Sequence, residues 1–132
     1  MTTRASASVG LLGVLLFASV LASACGDERY HDEAVAHMVG GAPSRGPALI
    51  RSYGCGTCHT VPGVTGANGL VGPPLTGLAE RAYIAGVLPN APENLVRWIE
   101  NPKAVDSLTA MPVLGVTPAD ARDIAAYLYT LR

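Results

Sequence analysis

Apolar residues recur at helical spacing in three stretches of the chain, whereas no stretch alternates apolar and polar residues as a strand does. The clearest stretch begins at residues 117–120 (TPAD), which indicate an N-cap, a proline at the first helical position and an acidic third residue. Ile124, Leu128 and Leu131 then share one helical face. The pattern predicts a helix from Pro118 to the end of the chain.

Two shorter stretches predict further helices. The first extends from Gly46 to Tyr53, carries an apolar face and ends at Gly54. The second covers residues 92–100, with a proline and a glutamate in its first turn. Pro102 stops this second helix, because proline has no N–H to donate to the preceding turn.

The connection between these helices is rich in loop-forming residues. Residues 60–75 are mostly Gly, Pro, Thr and Asn, which predict a long loop, and residues 76–82 predict a short helix. The fold class is therefore all-α, with about four helices and long loops. Residues 44–132 form the predicted globular domain, which is small enough to need a cross-link or a buried cofactor for stability.

The first 24 residues have the pattern of a signal peptide. Arg4 precedes the apolar run of residues 9–21, which is shorter than the roughly 20 residues that a membrane span requires. Small residues at 22–24 predict cleavage before Cys25. Residues 21–25 (LASAC) resemble a bacterial lipobox, although the leucine lies one residue further from the cysteine than is usual. The resemblance implies a lipid on Cys25; ordinary cleavage, leaving a free thiol, is the alternative.

Residues 25–43 are polar and acidic, which predicts a tether between the lipid and the domain. His31, His37 and Met38 lie in this segment and are expected to be solvated rather than to bind metal. Cleavage before Cys25 removes one basic residue and leaves eight, against ten acidic residues. Lys103 is the only lysine and the basic residues form no cluster, so nothing in the sequence suggests nucleic acid binding.

The residues with the most specific chemistry are 55–59 (CGTCH), which have the C-x-x-C-H spacing of c-type haem attachment. Cys55 and Cys58 can each bond one vinyl group of a haem, and His59 can ligate the iron. A zinc site would lack ligands, because no cysteine or histidine follows His59. A thioredoxin-like dithiol needs strands, and a structural disulfide leaves His59 without a role. We predict one covalently bound haem c.

The second axial ligand of the iron is expected downstream of the first. Met111 lies in residues 109–112 (TAMP), an irregular segment between two predicted helices. A buried methionine is more often a packing residue. Here, however, Met111 is the only methionine of residues 44–132, and no second histidine competes with it. We predict that the thioether of Met111 ligates the iron, which favours the reduced state.

Together these features resemble a class I cytochrome c over residues 44–132. Residues 72–75 (GPPL) match the loop that follows the haem motif in that family. The resemblance implies that the Pro73 carbonyl accepts a hydrogen bond from the ring of His59, and that Leu75 touches the haem face.

Three further positions carry over from the same resemblance. Arg81 matches an arginine that lies near a haem propionate. Trp98 occupies an aromatic position that faces the haem. Asn90 falls where mitochondrial-type relatives have a tryptophan near the propionates, and is expected to donate a hydrogen bond in its place.

Residues 81–102, together with the Met-Pro segment, resemble the haem domain fused to subunit II of some bacterial haem–copper cytochrome oxidases. No copper-binding domain precedes the motif in this sequence, so a free-standing relative is expected. The resemblance implies a membrane-bound redox complex, such as a haem–copper oxidase, as the partner.

The expected function is therefore one-electron transfer in a respiratory chain, and not catalysis. We expect a monomer on the periplasmic side of the bacterial cell envelope, anchored to a membrane through lipidated Cys25. Two alternatives remain open. The chain could be a bound subunit of a larger oxidoreductase, or a haem-based sensor in which a small gas displaces Met111.

Overall fold

The computed structural model describes residues 31–132. The predicted signal peptide and the lipidation site at Cys25 lie outside these residues. The chain divides into two units after Glu33, and the second, Ala34–Arg132, is compact. Of the first unit only residues 31–33 are described, and they are helical. Among residues 31–132 no helix combines the length and the apolar character that crossing a membrane requires.

The second unit is mainly helical, and the all-α prediction is confirmed. Its α-helices are α1 (residues 34–39), α2 (Gly46–Ser52), α3 (Pro92–Glu100), α4 (Pro102–Val105) and α5 (Pro118–Thr130). Single 3-10 turns occupy Pro43–Arg45, Cys55–Thr57 and Leu78–Glu80, and a two-stranded antiparallel hairpin pairs β1 (Tyr83–Ile84) with β2 (Leu88–Pro89).

The C-terminal helix begins as its sequence predicts. Thr117 is the N-cap, and its hydroxyl oxygen accepts a hydrogen bond from the backbone N–H of Asp120 at 3.2 Å. The Asp120 carboxylate accepts from the Thr117 hydroxyl at 2.9 Å and from the Tyr53 hydroxyl at 2.7 Å. These two bonds hold the pKa of Asp120 below its ordinary value. The Thr117 hydroxyl therefore caps α5, and the Asp120 carboxylate holds that hydroxyl and ties the end of α2 to the helix.

Helix α5 is the centre of the core, and α2 and α3 pack against it. Ala121, Ala125 and Ala126 are completely buried, and such small side chains let neighbouring elements approach closely. The closest approach is at Gly46, where an added Cβ would lie 2.2 Å from the Cβ of Tyr127. Only glycine fits this position, so the contact between α2 and α5 depends on it.

An ion pair between a buried carboxylate and an exposed guanidinium joins α5 to the segment before α2, and sequence patterns did not predict it. Asp123 is 6% exposed, and its carboxylate lies 2.8 Å from the Arg45 guanidinium. The other carboxylate oxygen accepts from the backbone N–H of Ala42 at 2.7 Å. A charge this buried is stable only when it is paired, so Arg45 is essential to the arrangement.

The compact unit begins earlier than the predicted domain boundary at Ser44. Residues 31–39 of the predicted tether are helical, and Val35 and Val39 are buried in the core. The two valines lie four residues apart, on one face of a helix. The backbone after this helix also packs directly against α5: a Cβ on Gly41 would lie 2.3 Å from the Arg122 carbonyl oxygen. The description of residues 31–43 as a polar tether with little to bury is therefore wrong.

Two local elements also differ from expectation. Residues 76–82 hold only the 3-10 turn Leu78–Glu80, and the hairpin at residues 83–89 was not predicted. Ala85 and Gly86 have φ values of 52° and 75°, so two consecutive left-handed residues reverse the chain between the strands. Pro102 ends α3 as predicted, but it also begins α4.

Candidate haem site

A single tight turn carries the two cysteines and the histidine of the motif. Helix α2 is followed by Gly54, whose φ of 72° turns the chain into the 3-10 turn Cys55–Thr57. The backbone N–H groups of Cys58 and His59 both donate to the Cys55 carbonyl, at 3.2 and 3.0 Å. The motif is therefore wound into one turn by its own backbone.

Both thiols of the motif are free and half-buried. Burial raises the pKa of the Cys55 thiol, and the nearby Cys58 raises it further. Neither sulfur is part of a disulfide, so each can form a bond to another group. The cysteines lie on the same turn as the histidine, as covalent attachment and iron ligation by one motif require.

The imidazole of His59 is oriented by one short hydrogen bond. Its Nδ1 lies 2.7 Å from the Pro73 carbonyl oxygen. A carbonyl can only accept, so Nδ1 carries the proton and the lone pair is on Nε2. The contact that the resemblance implied is present, and it leaves Nε2 as the nitrogen that can bind a metal.

Residues 60–82, here called the histidine-side loop, lie directly against the motif. A Cβ on Gly72 would lie 2.4 Å from Cε1 of His59, and one on Gly69 would lie 2.5 Å from the Thr57 carbonyl. Hydrogen bonds from Gly69 N to Gly56 O at 3.0 Å and from Gly72 N to Cys58 O at 2.8 Å fix the same contact. Glycine is needed at both loop positions, because any side chain would push the loop away from the motif.

Arg81 holds the same loop from its other end. Its Nη2 donates to the carbonyl oxygens of Pro74 and, at 2.9 Å, of Thr76. The first of these carbonyls belongs to the residue after Pro73. Leu75 and Trp98 are half-buried and pack against the core.

The side chain of Asn90 has no N–H group left to donate to a haem propionate, although the resemblance implied such a bond. Its side-chain nitrogen donates to the carbonyls of Leu78 and Arg81, at 2.8 Å each. Its side-chain oxygen accepts from the Tyr129 hydroxyl at 2.8 Å. An amide nitrogen has two N–H groups, and both are used. The expectation that Asn90 donates to a haem propionate is therefore wrong.

Met111 is half-buried in residues 106–116, here called the methionine segment, which contain no helix or strand. Its backbone N–H donates to the Thr109 hydroxyl at 3.2 Å. The Lys103 ammonium donates to the carbonyl of Thr109 and, at 3.4 Å, to that of Ser107. The one lysine of the chain therefore bonds to the backbone that precedes Met111.

The donor set suits haem c better than a free metal ion. It comprises two free thiols, an imidazole nitrogen with an available lone pair, and a thioether. No group of three or more His, Cys, Asp or Glu side chains among residues 31–132 could hold a metal ion. Apolar side chains beside Gly72 and Met111 are strongly exposed, as residues that pack on a large apolar ring would be: Leu70 88%, Val71 83%, Leu108 91%, Val113 51%.

Comparison with known proteins agrees with this donor set. The family model described as Cytochrome c matches residues 43–132. The chain is 33% identical over 90 residues to the cytochrome c oxidase subunit 2 of Alkalihalophilus pseudofirmus. The match covers 67% of this chain and 25% of that protein, so the chain spans about a quarter of the relative's length. No solved structure matches at a significant level.

Proposed function

The chain belongs to the cytochrome c family, which implies a covalently bound haem c and electron transfer, and we propose that it is an exported carrier with a single haem. The sequence has one C-x-x-C-H motif, at residues 55–59, which supports one attachment site. We place the protein in a bacterial respiratory chain, on the periplasmic side of the membrane.

When bound, the haem supplies an iron that gains and loses one electron. Cys55 and Cys58 would hold its ring through thioether bonds. His59 and Met111 would fill the two axial positions of the iron. With both positions filled by the chain, no site remains for a substrate or a gas, which favours a carrier over an enzyme or a sensor.

The remaining side chains would shape the surroundings of the ring. Leu75 and Trp98 would pack against it, and Arg81 would lie close to a propionate while its Nη2 holds the loop. Because these residues are anchored to the core or the backbone, little would have to move when the charge of the iron changes. A small rearrangement on oxidation is what a one-electron carrier needs.

The observation that carries the proposal is the orientation of His59. Its Nδ1 is committed to the Pro73 carbonyl at 2.7 Å, so Nε2 is available for the iron, one residue away from the second cysteine. This hydrogen bond also makes the imidazole a stronger electron donor.

Replacing Met111 tests the proposed ligand set. Met111→Ala should abolish the weak near-infrared methionine-to-iron(III) band of the oxidised protein and lower the midpoint potential, because a thioether favours reduced iron. Met38→Ala is the matched control, since Met38 is 52% exposed and should leave both properties unchanged. Absence of the band in the wild-type protein would contradict ligation by histidine and methionine.

For the partner we propose a terminal oxidase, supported by the similarity to an oxidase subunit. Copurification from detergent-solubilised native membranes would distinguish a free-standing carrier from a bound subunit, and would identify the complex. Docking should depend little on ionic strength, because Lys103 is the only lysine and its ammonium bonds to the chain's own carbonyls. A steep fall of the electron-transfer rate with salt would contradict this.

We further propose that Cys25 carries a lipid that keeps the domain at the membrane. Confinement raises the effective concentration of a membrane-bound partner without any new contact, so a weak interface suffices. Cys25→Ala should release a cytochrome with an unchanged haem spectrum into the soluble fraction and slow electron delivery to the membrane. A wild-type protein that is soluble after export, or a variant that stays in the membrane, would rule out the anchor.

A further inference from the structure

Asn90 lies at the centre of a hydrogen-bond network between the core and the histidine-side loop. It follows β2 and precedes α3, and its side chain uses both N–H groups and its oxygen in bonds to the chain. Its backbone N–H adds a fourth bond, to the Ala82 carbonyl at 3.0 Å. This half-buried amide therefore fixes both ends of residues 78–82 to one point.

The network continues to the proposed axial ligand through a short series of contacts. Tyr129, on α5 and 7% exposed, donates to the Asn90 amide oxygen, and the amide nitrogen donates to the Arg81 carbonyl. The side chain of Arg81 holds the carbonyl of Pro74. The neighbouring carbonyl, on Pro73, accepts from Nδ1 of His59. Four side chains thus link α5 to the nitrogen that orients the imidazole.

We propose that Asn90 is a positioning residue for His59, and that it acts through the loop rather than by touching the haem. It holds Arg81 in place, Arg81 holds the Pro73–Pro74 carbonyls, and the Pro73 carbonyl sets the strength of the His59 hydrogen bond. A strong bond from Nδ1–H makes the imidazole a better donor and stabilises the oxidised iron. Asn90 therefore lowers the midpoint potential from a distance.

The hydrogen-bond partners of Asn90 distinguish it from Asn94, another asparagine nearby. Its amide bonds end on the loop carbonyls of Leu78 and Arg81, whereas the nearby Asn94 donates to the Pro89 carbonyl, which belongs to the hairpin. The two asparagines have the same chemistry and lie four residues apart. Only Asn90 is connected to the loop that holds His59, so the pair forms a matched comparison.

The experiment compares Asn90→Ala, Tyr129→Phe and Asn94→Ala with the wild-type holoprotein. Solvent exchange of the His59 Nδ1 proton, followed by NMR in the reduced protein, should accelerate by about tenfold in Asn90→Ala, because loop opening exposes the bond. The midpoint potential should rise in the same variant. Tyr129→Phe, which removes one of the bonds to the Asn90 side chain, should change both quantities in the same direction by less. Asn94→Ala should change neither.

A structural role alone would lower the thermal midpoint of Asn90→Ala and leave the proton exchange and the potential at wild-type values, which would overturn the inference. If Asn90→Ala does not accumulate, Tyr129→Phe carries the test alone, and unchanged exchange in that variant would overturn it equally. The inference rests on the proposed function, and the two fail differently. A wild-type protein without the methionine-to-iron band contradicts the ligand set, whereas a normal wild-type spectrum with unresponsive variants contradicts only the role of Asn90.

Discussion

The histidine-side loop and the methionine segment carry the two proposed axial ligands, but the protein holds them in different ways. The loop packs against the motif through Gly69 and Gly72. The hydroxyl of Tyr127, on α5, also donates a hydrogen bond of 2.6 Å to the Pro62 carbonyl of the loop.

In the methionine segment, residues 110–116 make no backbone–backbone hydrogen bond within the described chain. Its side-chain hydrogen bonds come from Lys103, which is itself exposed, and from Asp106 and Thr109 within the segment. Val116, at its end, is the residue of the segment that is buried in the core.

The difference separates a proposed ligand that the protein itself positions, His59, from one that would depend on a bond to iron, Met111. Local stability follows the number of buried contacts and protected hydrogen bonds, so the methionine segment should open more easily than the histidine-side loop. His59 would remain oriented by Pro73 when its bond to iron breaks. Met111 would lose the largest part of what holds it in place.

The largest expected effect comes from comparing a variant that loses haem attachment at the motif with one that loses the proposed iron ligand of the methionine segment. Cys58→Ser should leave a chain that fails to accumulate, because the loss of one of the two covalent bonds weakens attachment of the apolar cofactor on which a domain of this size depends. Met111→Ala should accumulate with haem attached, since the turn that carries the motif is unchanged. Haem-stained gels of exported protein measure both. A Cys58→Ser apoprotein with a sharp, cooperative melt would contradict the comparison.

The next effect concerns the glycines of the two regions. In Gly72→Ala the new Cβ would meet the His59 ring at 2.4 Å from Cε1, so the ring must move. Such overpacking costs about 1–3 kcal/mol, and here it should also alter the visible spectrum of the haem.

Gly115→Ala is the control in the methionine segment. Gly115 has a φ of 69° with nothing within 4 Å of an added Cβ, so only backbone strain of roughly 1–2 kcal/mol is expected. Thermal melts of both variants measure the loss of stability, and their visible spectra show whether the surroundings of the haem change. An unchanged haem spectrum in Gly72→Ala would show that the His59 contact does not govern ligation.

A smaller effect tests the contact made by Lys103. Lys103→Met removes the donor to the Thr109 and Ser107 carbonyls, which are exposed bonds worth about 1 kcal/mol together. Opening of the methionine segment should increase about fivefold, seen as tighter binding of added imidazole to the oxidised protein. Arg97→Met removes another exposed positive charge, from α3, and should leave imidazole binding unchanged. Equal effects of the two substitutions would attribute the change to charge alone.

The smallest effect near neutral pH concerns Tyr129, which anchors the histidine side through Asn90. Burial, with a contribution from Glu93, raises the pKa of Tyr129 from 10.0 to about 12. Because the folded-state pKa lies above the unfolded value, the stability from the neutral hydroxyl is complete below pH 10 and is lost as pH rises towards 12.

Thermal melts between pH 8 and pH 12 measure this loss, and Tyr129→Phe should lose less stability over that interval than the wild type. The difference between the two proteins separates Tyr129 from Tyr53 and Tyr127, whose pKa values are also raised. Parallel pH dependence in both proteins would show that another group controls the alkaline transition.

Local sequence determined the elements whose stabilising residues are neighbours in the chain. The cap at Thr117 and Asp120, the helix Pro92–Glu100 and the turn that carries Cys55, Cys58 and His59 all depend on contacts within a few residues. The bond from His59 to Pro73 was available from the family resemblance, because residues 72–75 (GPPL) match the loop that follows the haem motif in that family.

Tertiary structure alone decided the features whose partners are distant in the chain. Asp123 has the polarity of a surface residue, and only its bonds to Arg45 and Ala42, about 80 positions earlier, make its burial possible. The side-chain oxygen of Asn90 accepts a hydrogen bond from Tyr129, which lies 39 positions further along the chain. Periodicity and capping record which face of an element is apolar, but not which polar group will meet it. A buried polar side chain is stable only beside a specific partner, and the fold supplies that partner.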